Sequence, residues 1–269
     1  MKGIDMKAVI LAGGSGTRLS EETESKPKPL VEIGGRPILL HIMETFSLHG
    51  VTEFVILVGY KGHQIKEFFL NYRVHIQDVE IDLAATTIKY LDTQKQRPAW
   101  KISVIDTGDS TMTGGRLLRV RDHLHDEESF FFTYGDGVAD IDLTRLRNFH
   151  HAHQKIATVT AVSPPGRFGA LDIDGTVVKE FVEKPVGDRA FINGGYFVLN
   201  QAVFDYLDGD DCVFEQEPLK SLTENGELQA YIHRGFWHGM DTLRDKRYLD
   251  DLCAQGKPPW LERTWGNDK

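Results

Sequence analysis

Three clusters of residues in this chain could act on phosphate. The first is Leu11-Ala12-Gly13-Gly14-Ser15-Gly16-Thr17-Arg18-Leu19, followed by Lys26-Pro27-Lys28-Pro29-Leu30. Three glycines in four positions leave backbone N–H groups unshielded, so they can approach phosphate oxygens. Arg18 adds a bidentate fork and Lys28 a mobile point charge. The second cluster is Tyr134-Gly135-Asp136-Gly137. An Asp between glycines reaches into a cleft without crowding. It suits a hard cation, which is usually held by one or two carboxylates plus phosphate oxygens. The same Asp-Gly pair also makes ordinary turns. The third cluster is Met240-Asp241-Thr242-Leu243-Arg244-Asp245, where Asp241 could hold the same cation or merely cap a helix. Two such aspartates beside a cationic glycine loop predict a joint phosphate and metal site.

Other glycine-rich sites fit less well. A dinucleotide fingerprint needs a third glycine for close helix packing, and Leu19 stands there. That argues against an NAD-binding oxidoreductase. A P-loop needs Gly-Lys-Ser/Thr opening a helix, which is absent.

The elements around these clusters alternate. Residues 7–12 are an apolar run ending at Gly13, which predicts a buried parallel strand. Ile38, Ile42 and Phe46 share one face of a helix over 37–49, which Gly50 stops. A second strand follows at 53–58 and a helix at 62–72. Residues 76–98 are polar and poorly periodic, which predicts an inserted strand pair or lid. Strands at 101–106, 129–134 and 156–162 alternate with helices at 116–125 and 142–154. Short strands at 169–173, 176–183 and 191–198 then suggest a mixed or antiparallel extension. Helices near 201–207, 216–225 and 242–255 close the chain. Strand-helix alternation of this kind predicts a mostly parallel sheet with right-handed crossovers, whose ligands bind beyond the carboxyl ends of the strands. A single domain fits the 269 residues, with a core about 6–240 and a C-terminal helical segment about 241–269.

Composition narrows the class. Hydrophobic residues are 41% and charged residues 26%, which excludes collagenous and largely disordered chains. A net charge of -9 argues against a non-specific nucleic-acid binder. Two cysteines, Cys212 and Cys253, are too few for a disulfide framework. No run is long and apolar enough for a bilayer, and the first residues lack the apolar core of a signal peptide, so a cytoplasmic protein is expected. His150, His151 and His153 lack the i, i+4 spacing of a helical zinc site and read as a helix face. Cys212 shows no activating partner. Trp237 and Trp260 read as packing before base stacking.

The glycine loop, with Pro27-Lys28-Pro29-Leu30, resembles the signature of sugar-phosphate nucleotidyltransferases. Further motifs are similar to one branch, the glucose-1-phosphate cytidylyltransferases. They are Asp106-Thr107-Gly108-Asp109-Ser110, Thr113-Gly114-Gly115-Arg116, Phe132-Thr133-Tyr134-Gly135-Asp136-Gly137, Pro164-Pro165-Gly166-Arg167-Phe168-Gly169, Glu183-Lys184-Pro185, Ile192-Asn193-Gly194-Gly195 and the Asp241 segment. The likeness runs from residue 7 to about 260. It implies a Rossmann-like three-layer α/β fold and a reaction of CTP with α-D-glucose 1-phosphate, giving CDP-glucose and pyrophosphate with Mg²⁺. It also implies a homo-oligomer and a role in making sugars for surface polysaccharides such as O-antigen. By resemblance, residues Leu11 to Arg18 with Ser110, Thr113, Gly115 and Gly135 would line the nucleotide pocket. Arg18, Lys28 and Asp136 would be catalytic, and Asp136 and Asp241 would hold the metal. Gly169, Glu183, Lys184 and Asn193 would grip the sugar phosphate. The same reaction with dTTP or UTP, another sugar 1-phosphate, or a silent binding homologue remain the alternatives.

Overall fold

A computed structural model describes residues 4–14, 16–91, 98–164, 170–174, 177–182, 191–256 and 258–262. Its centre is a seven-stranded sheet in the order Leu228–His233, Ala157–Val162, Ile192–Asn200, Ser129–Tyr134, Ala8–Ala12, Glu53–Val58 and Lys101–Asp106. Neighbours run parallel except Ile192–Asn200, which is antiparallel to both strands beside it.

The apolar runs explain the layering. On Ala8–Ala12, Ala8, Ile10 and Ala12 enter one core cluster, while Val9 and Leu11 enter the other. Glu53–Val58 divides in the same way, with Phe54, Ile56 and Val58 opposite Val55 and Leu57. A strand buried on both faces must be apolar at every position. Helices Ile38–Leu48, Leu143–His153 and Leu243–Ala254 cover one face through Ile42, Phe46, Leu146 and Leu249. Leu117, Phe204 and Leu222 cover the other from Thr113–Leu118, the 3-10 turns Gln201–Tyr206, and Glu217–Glu224. Among the described residues, no helix is long and apolar enough to cross a membrane.

The expected strand pair inside 76–98 exists as Val79–Asp82 paired with Thr87–Tyr90. Three local readings change. The helix expected at 116–125 spans Thr113–Leu118 instead, with a 3-10 turn at Arg121–His123. Its start is set by contact rather than periodicity: the N–H groups of Gly114 and Gly115 donate to Cys212 O, at 2.8 and 3.2 Å. Residues 201–206 wind as 3-10 turns. Leu228–His233 is an edge strand, not anticipated because polar residues interrupt its apolar ones and none of its side chains is buried.

Candidate active site

A cavity of about 830 Å³ opens at the carboxyl ends of Ala8–Ala12 and Ser129–Tyr134. A small antiparallel ribbon builds its floor. Gly137–Ala139 pairs with Trp237–Gly239, and Met240 N donates to Asp136 O at 2.8 Å. That ribbon carries Asp241 to the side of Asp136. The helix that follows is capped by Thr242, not by Asp241. Thr242 and Asp245 form a reciprocal capping box, and Asp245 Oδ2 also accepts from Asp241 N at 3.2 Å. Burial opposes ionisation of Asp245, yet hydrogen bonds from Thr242 and His238 hold its carboxyl below the ordinary range. Asp241 thus keeps its own carboxylate for the cavity.

Lys28 lies between the two aspartates. Its Nζ is 2.6 Å from Asp136 Oδ2 and 3.0 Å from Asp241 Oδ1. Lys28 emerges from a tight turn over Lys28–Leu30, in which Leu30 N donates to Pro27 O at 2.9 Å. Its side chain is 11% exposed, against 35% for Asp136 and 29% for Asp241. Arg18 Nη1 reaches the other oxygen of Asp241 at 3.2 Å, from a side chain that is 75% exposed. Two cations and two carboxylates therefore meet at one point of the cavity wall.

The glycine loop is shaped from below. Gly16 has φ +63°, a left-handed conformation, and starts the 3-10 turn Thr17–Leu19. Leu19 is fully buried, which is why an apolar side chain stands where a dinucleotide loop has glycine. Under the loop lies Arg116, only 5% exposed. Its guanidinium donates to Gly13 O, Val58 O, Gly108 O, Asp109 O and Thr107 Oγ1 at 2.7–3.2 Å. Burial lowers its basicity, without discharging so strong a base. A Cβ on Gly13 would lie 2.4 Å from this guanidinium, so close packing requires the glycine.

The opposite wall carries hydroxyls, an amide and the Glu215 carboxylate. Tyr134 OH donates to Glu215 Oε1 at 2.5 Å, and Thr113 Oγ1 donates to Glu215 Oε2 at 2.6 Å. Asn193 Nδ2 donates to Tyr134 OH at 3.3 Å, and Asn193 Oδ1 accepts from Gly195 N at 2.8 Å. Burial, then the neighbouring Glu215, push the Tyr134 hydroxyl well above the usual phenol range, so it stays a donor.

The structure brings most sequence candidates together. Leu11, Ala12, Gly13, Gly14, Gly16, Arg18, Lys28, Ser110, Thr113, Gly135, Asp136, Asn193 and Asp241 all line the cavity. Thr17 contributes backbone to the 3-10 turn. Gly115 does not line the cavity: it packs behind it, where a Cβ would lie 2.6 Å from Asp210 O. Lys26 sits away from the cavity, 3.5 Å from Glu32. Ser15, Gly169, Glu183 and Lys184 fall outside the described residues. Trp260 is buried core, while Trp237 lines the cavity with Nε1 donating to Gly194 O at 2.7 Å. His150 and His153 bond Thr158, and His151 bonds Ser129, as a helix face does. Sequence reading missed the roles of Arg116, Tyr134 and Glu215. Only the two glycines preceding Arg116 hinted at close packing there.

A family model described as nucleotidyl transferase matches residues 7–245. The glucose-1-phosphate cytidylyltransferase of Salmonella typhi is 57% identical over 260 residues, covering 97% of this chain and 100% of that protein. That of Salmonella typhimurium is equally similar, at 57% with the same coverage. The inositol-1-phosphate CTP transferase of T. maritima superposes with a TM-score of 0.66 at 16% identity, over 96% of this chain and 98% of its own, which supports the fold. With a family match reaching from the first sheet strand into the last long helix, and full-length relatives this similar, the chain belongs to the nucleotidyl transferase family.

Proposed function

We propose that this cavity transfers a cytidylyl group from CTP to α-D-glucose 1-phosphate, giving CDP-glucose and pyrophosphate. The observation that carries the chemistry is Lys28, held between Asp136 and Asp241 beside an open glycine loop. The choice of base and sugar rests on the 57% identity to glucose-1-phosphate cytidylyltransferases.

The attacking group is a phosphomonoester oxygen. Its second pKa is about 6, so it is already anionic at neutral pH and needs no general base. Catalysis then rests on positioning and charge neutralisation. The backbone of Gly13, Gly14 and Gly16 approaches the triphosphate. Arg18 pairs with its oxygens through a planar fork. Lys28 meets the charge that builds on the α-phosphoryl group as pyrophosphate leaves in line. By family resemblance, Glu183, Lys184, Gly169 and Asn193 are the residues assigned to the sugar phosphate.

Mg²⁺ fits the donors present. Asp136 and Asp241 supply hard carboxylate oxygens side by side, held on Lys28 until a cation competes for them. Among the described residues no group of three or more ligating side chains forms, and Mg²⁺ commonly uses one or two carboxylates with phosphate oxygens. When bound there, Mg²⁺ neutralises phosphate charge. The hairpin residues Ile81, Leu83 and Ile88, at 57%, 88% and 57% exposure, support assembly with a second copy of the chain, testable by light scattering.

The test of the reaction is ³¹P NMR with glucose 1-phosphate and each of the four ribonucleoside triphosphates or dTTP. CTP should yield CDP-glucose and pyrophosphate in equal amounts. Products only from another triphosphate would overturn the base assignment.

A further inference from the structure

Glu215 is an acid in a cavity built for anions. Its side chain borders the cavity from the segment just before helix Glu217–Glu224. Among the described residues, its two hydrogen-bond donors are hydroxyls: Tyr134 on one oxygen and Thr113 on the other. Thr113 opens the helix beside Ser110, and its own Oγ1 accepts from Phe214 N at 2.9 Å. Tyr134 in turn accepts from Asn193. One carboxylate therefore joins two walls contributed by distant parts of the chain.

We propose that Glu215 is a substrate-binding residue for the transfer, locking Tyr134 and Asn193 against Thr113 and offering its remaining lone pairs to substrate hydroxyls. The proposal rests on the cytidylyl-transfer reading for the identity of those substrates. An ionised carboxylate has about four acceptor sites, and two are taken. A phosphate would be repelled by Glu215, whereas a sugar hydroxyl donates to it. The phosphates accordingly belong at Arg18 and Lys28, and the hydroxyl-bearing parts at Glu215. Those hydroxyls belong either to the glucose ring or to the ribose.

The prediction is a coupling. Glu215→Gln keeps shape but replaces one acceptor oxygen by a donor, which then faces a hydroxyl that also donates. Tyr134→Phe removes the same bond from the other side. Calorimetry with glucose 1-phosphate and with CTP should show each variant losing about 10- to 100-fold in affinity for at least one ligand. The double variant should bind no more weakly than the weaker single variant. Melting temperatures should stay near wild type, because Glu215 is exposed. Deoxyglucose 1-phosphates and 2′-deoxy-CTP separate the two hydroxyl sources: the analogue lacking the partner hydroxyl should bind wild type and Glu215→Gln alike. Unchanged affinities, or losses that multiply in the double variant, overturn the proposal. A wild type that binds both ligands yet forms no CDP-glucose would sink the reaction assignment, while the coupling result would still decide the role of Glu215.

Discussion

Lys28 Nζ stands 2.6 Å from Asp136 Oδ2, so the lysine best placed to meet a phosphate rests on a carboxylate best placed to hold a metal. Asp241 completes the arrangement at 3.0 Å, with Arg18 on its second oxygen. The site thus carries cations and carboxylates in balance before a substrate adds its own negative charge.

Loss of that ammonium should fall mainly on turnover. Lys28→Met should lower kcat by about 100- to 1,000-fold, the scale of one donor aimed at developing charge. Circular dichroism should show an unchanged fold. Initial rates of pyrophosphate release check it.

The same carboxylates cannot serve Lys28 and a divalent cation fully at once. Nucleotide-free Mn²⁺ affinity, read by electron paramagnetic resonance, should rise at least about tenfold in Lys28→Met. It should fall in Asp136→Asn. Chelation should abolish turnover in the wild type, and Mg²⁺ should restore it.

Arg116 should matter for stability as much as for activity. Its guanidinium satisfies four backbone carbonyls and one hydroxyl beneath the glycine loop. Lys has no planar fork, so Arg116→Lys leaves several of these buried acceptors unpaired. Urea unfolding should show a loss of about 3 kcal/mol or more, and CTP affinity should drop with it.

Acid should destabilise the fold partly through His150. It is 3% exposed, and burial holds its pKa down to about 4, below the ordinary 6.5. Between those values the unfolded chain binds the proton and the folded chain does not. Stability therefore falls as pH drops through that window, by up to about 1.4 kcal/mol per pH unit. Urea midpoints across this range should fall less steeply in His150→Asn than in the wild type.

Much of the fold was legible because its central strands are short apolar runs bounded by glycine. Glu53–Val58 and Ser129–Tyr134 lie where the pattern put them, as does the edge strand Lys101–Asp106. The edge strand Leu228–His233 escaped because polar and aromatic residues interrupt it and its partner is remote in sequence. Asp136 was visible between two glycines, Arg18 in the glycine loop, Lys28 between prolines and Asp241 ahead of a helix, and the ribbon of Gly137–Ala139 with Trp237–Gly239 explains how the two aspartates meet. Arg116 escaped because its partners are mostly backbone carbonyls, which carry no residue identity. Glu215 escaped because its role exists only where two distant walls face each other. The net charge of -9 is compatible with anionic substrates, since the cations that matter are local.

The transfer we propose is a direct displacement at the α-phosphorus, steadied by Lys28 without a protein nucleophile. The most direct measurement is the stereochemical course with CTP carrying a chiral thiophosphate at that phosphorus. Inversion of configuration in the CDP-glucose product is the predicted result. Retention would contradict the account, because it requires two displacements through a nucleotide covalently held by the protein.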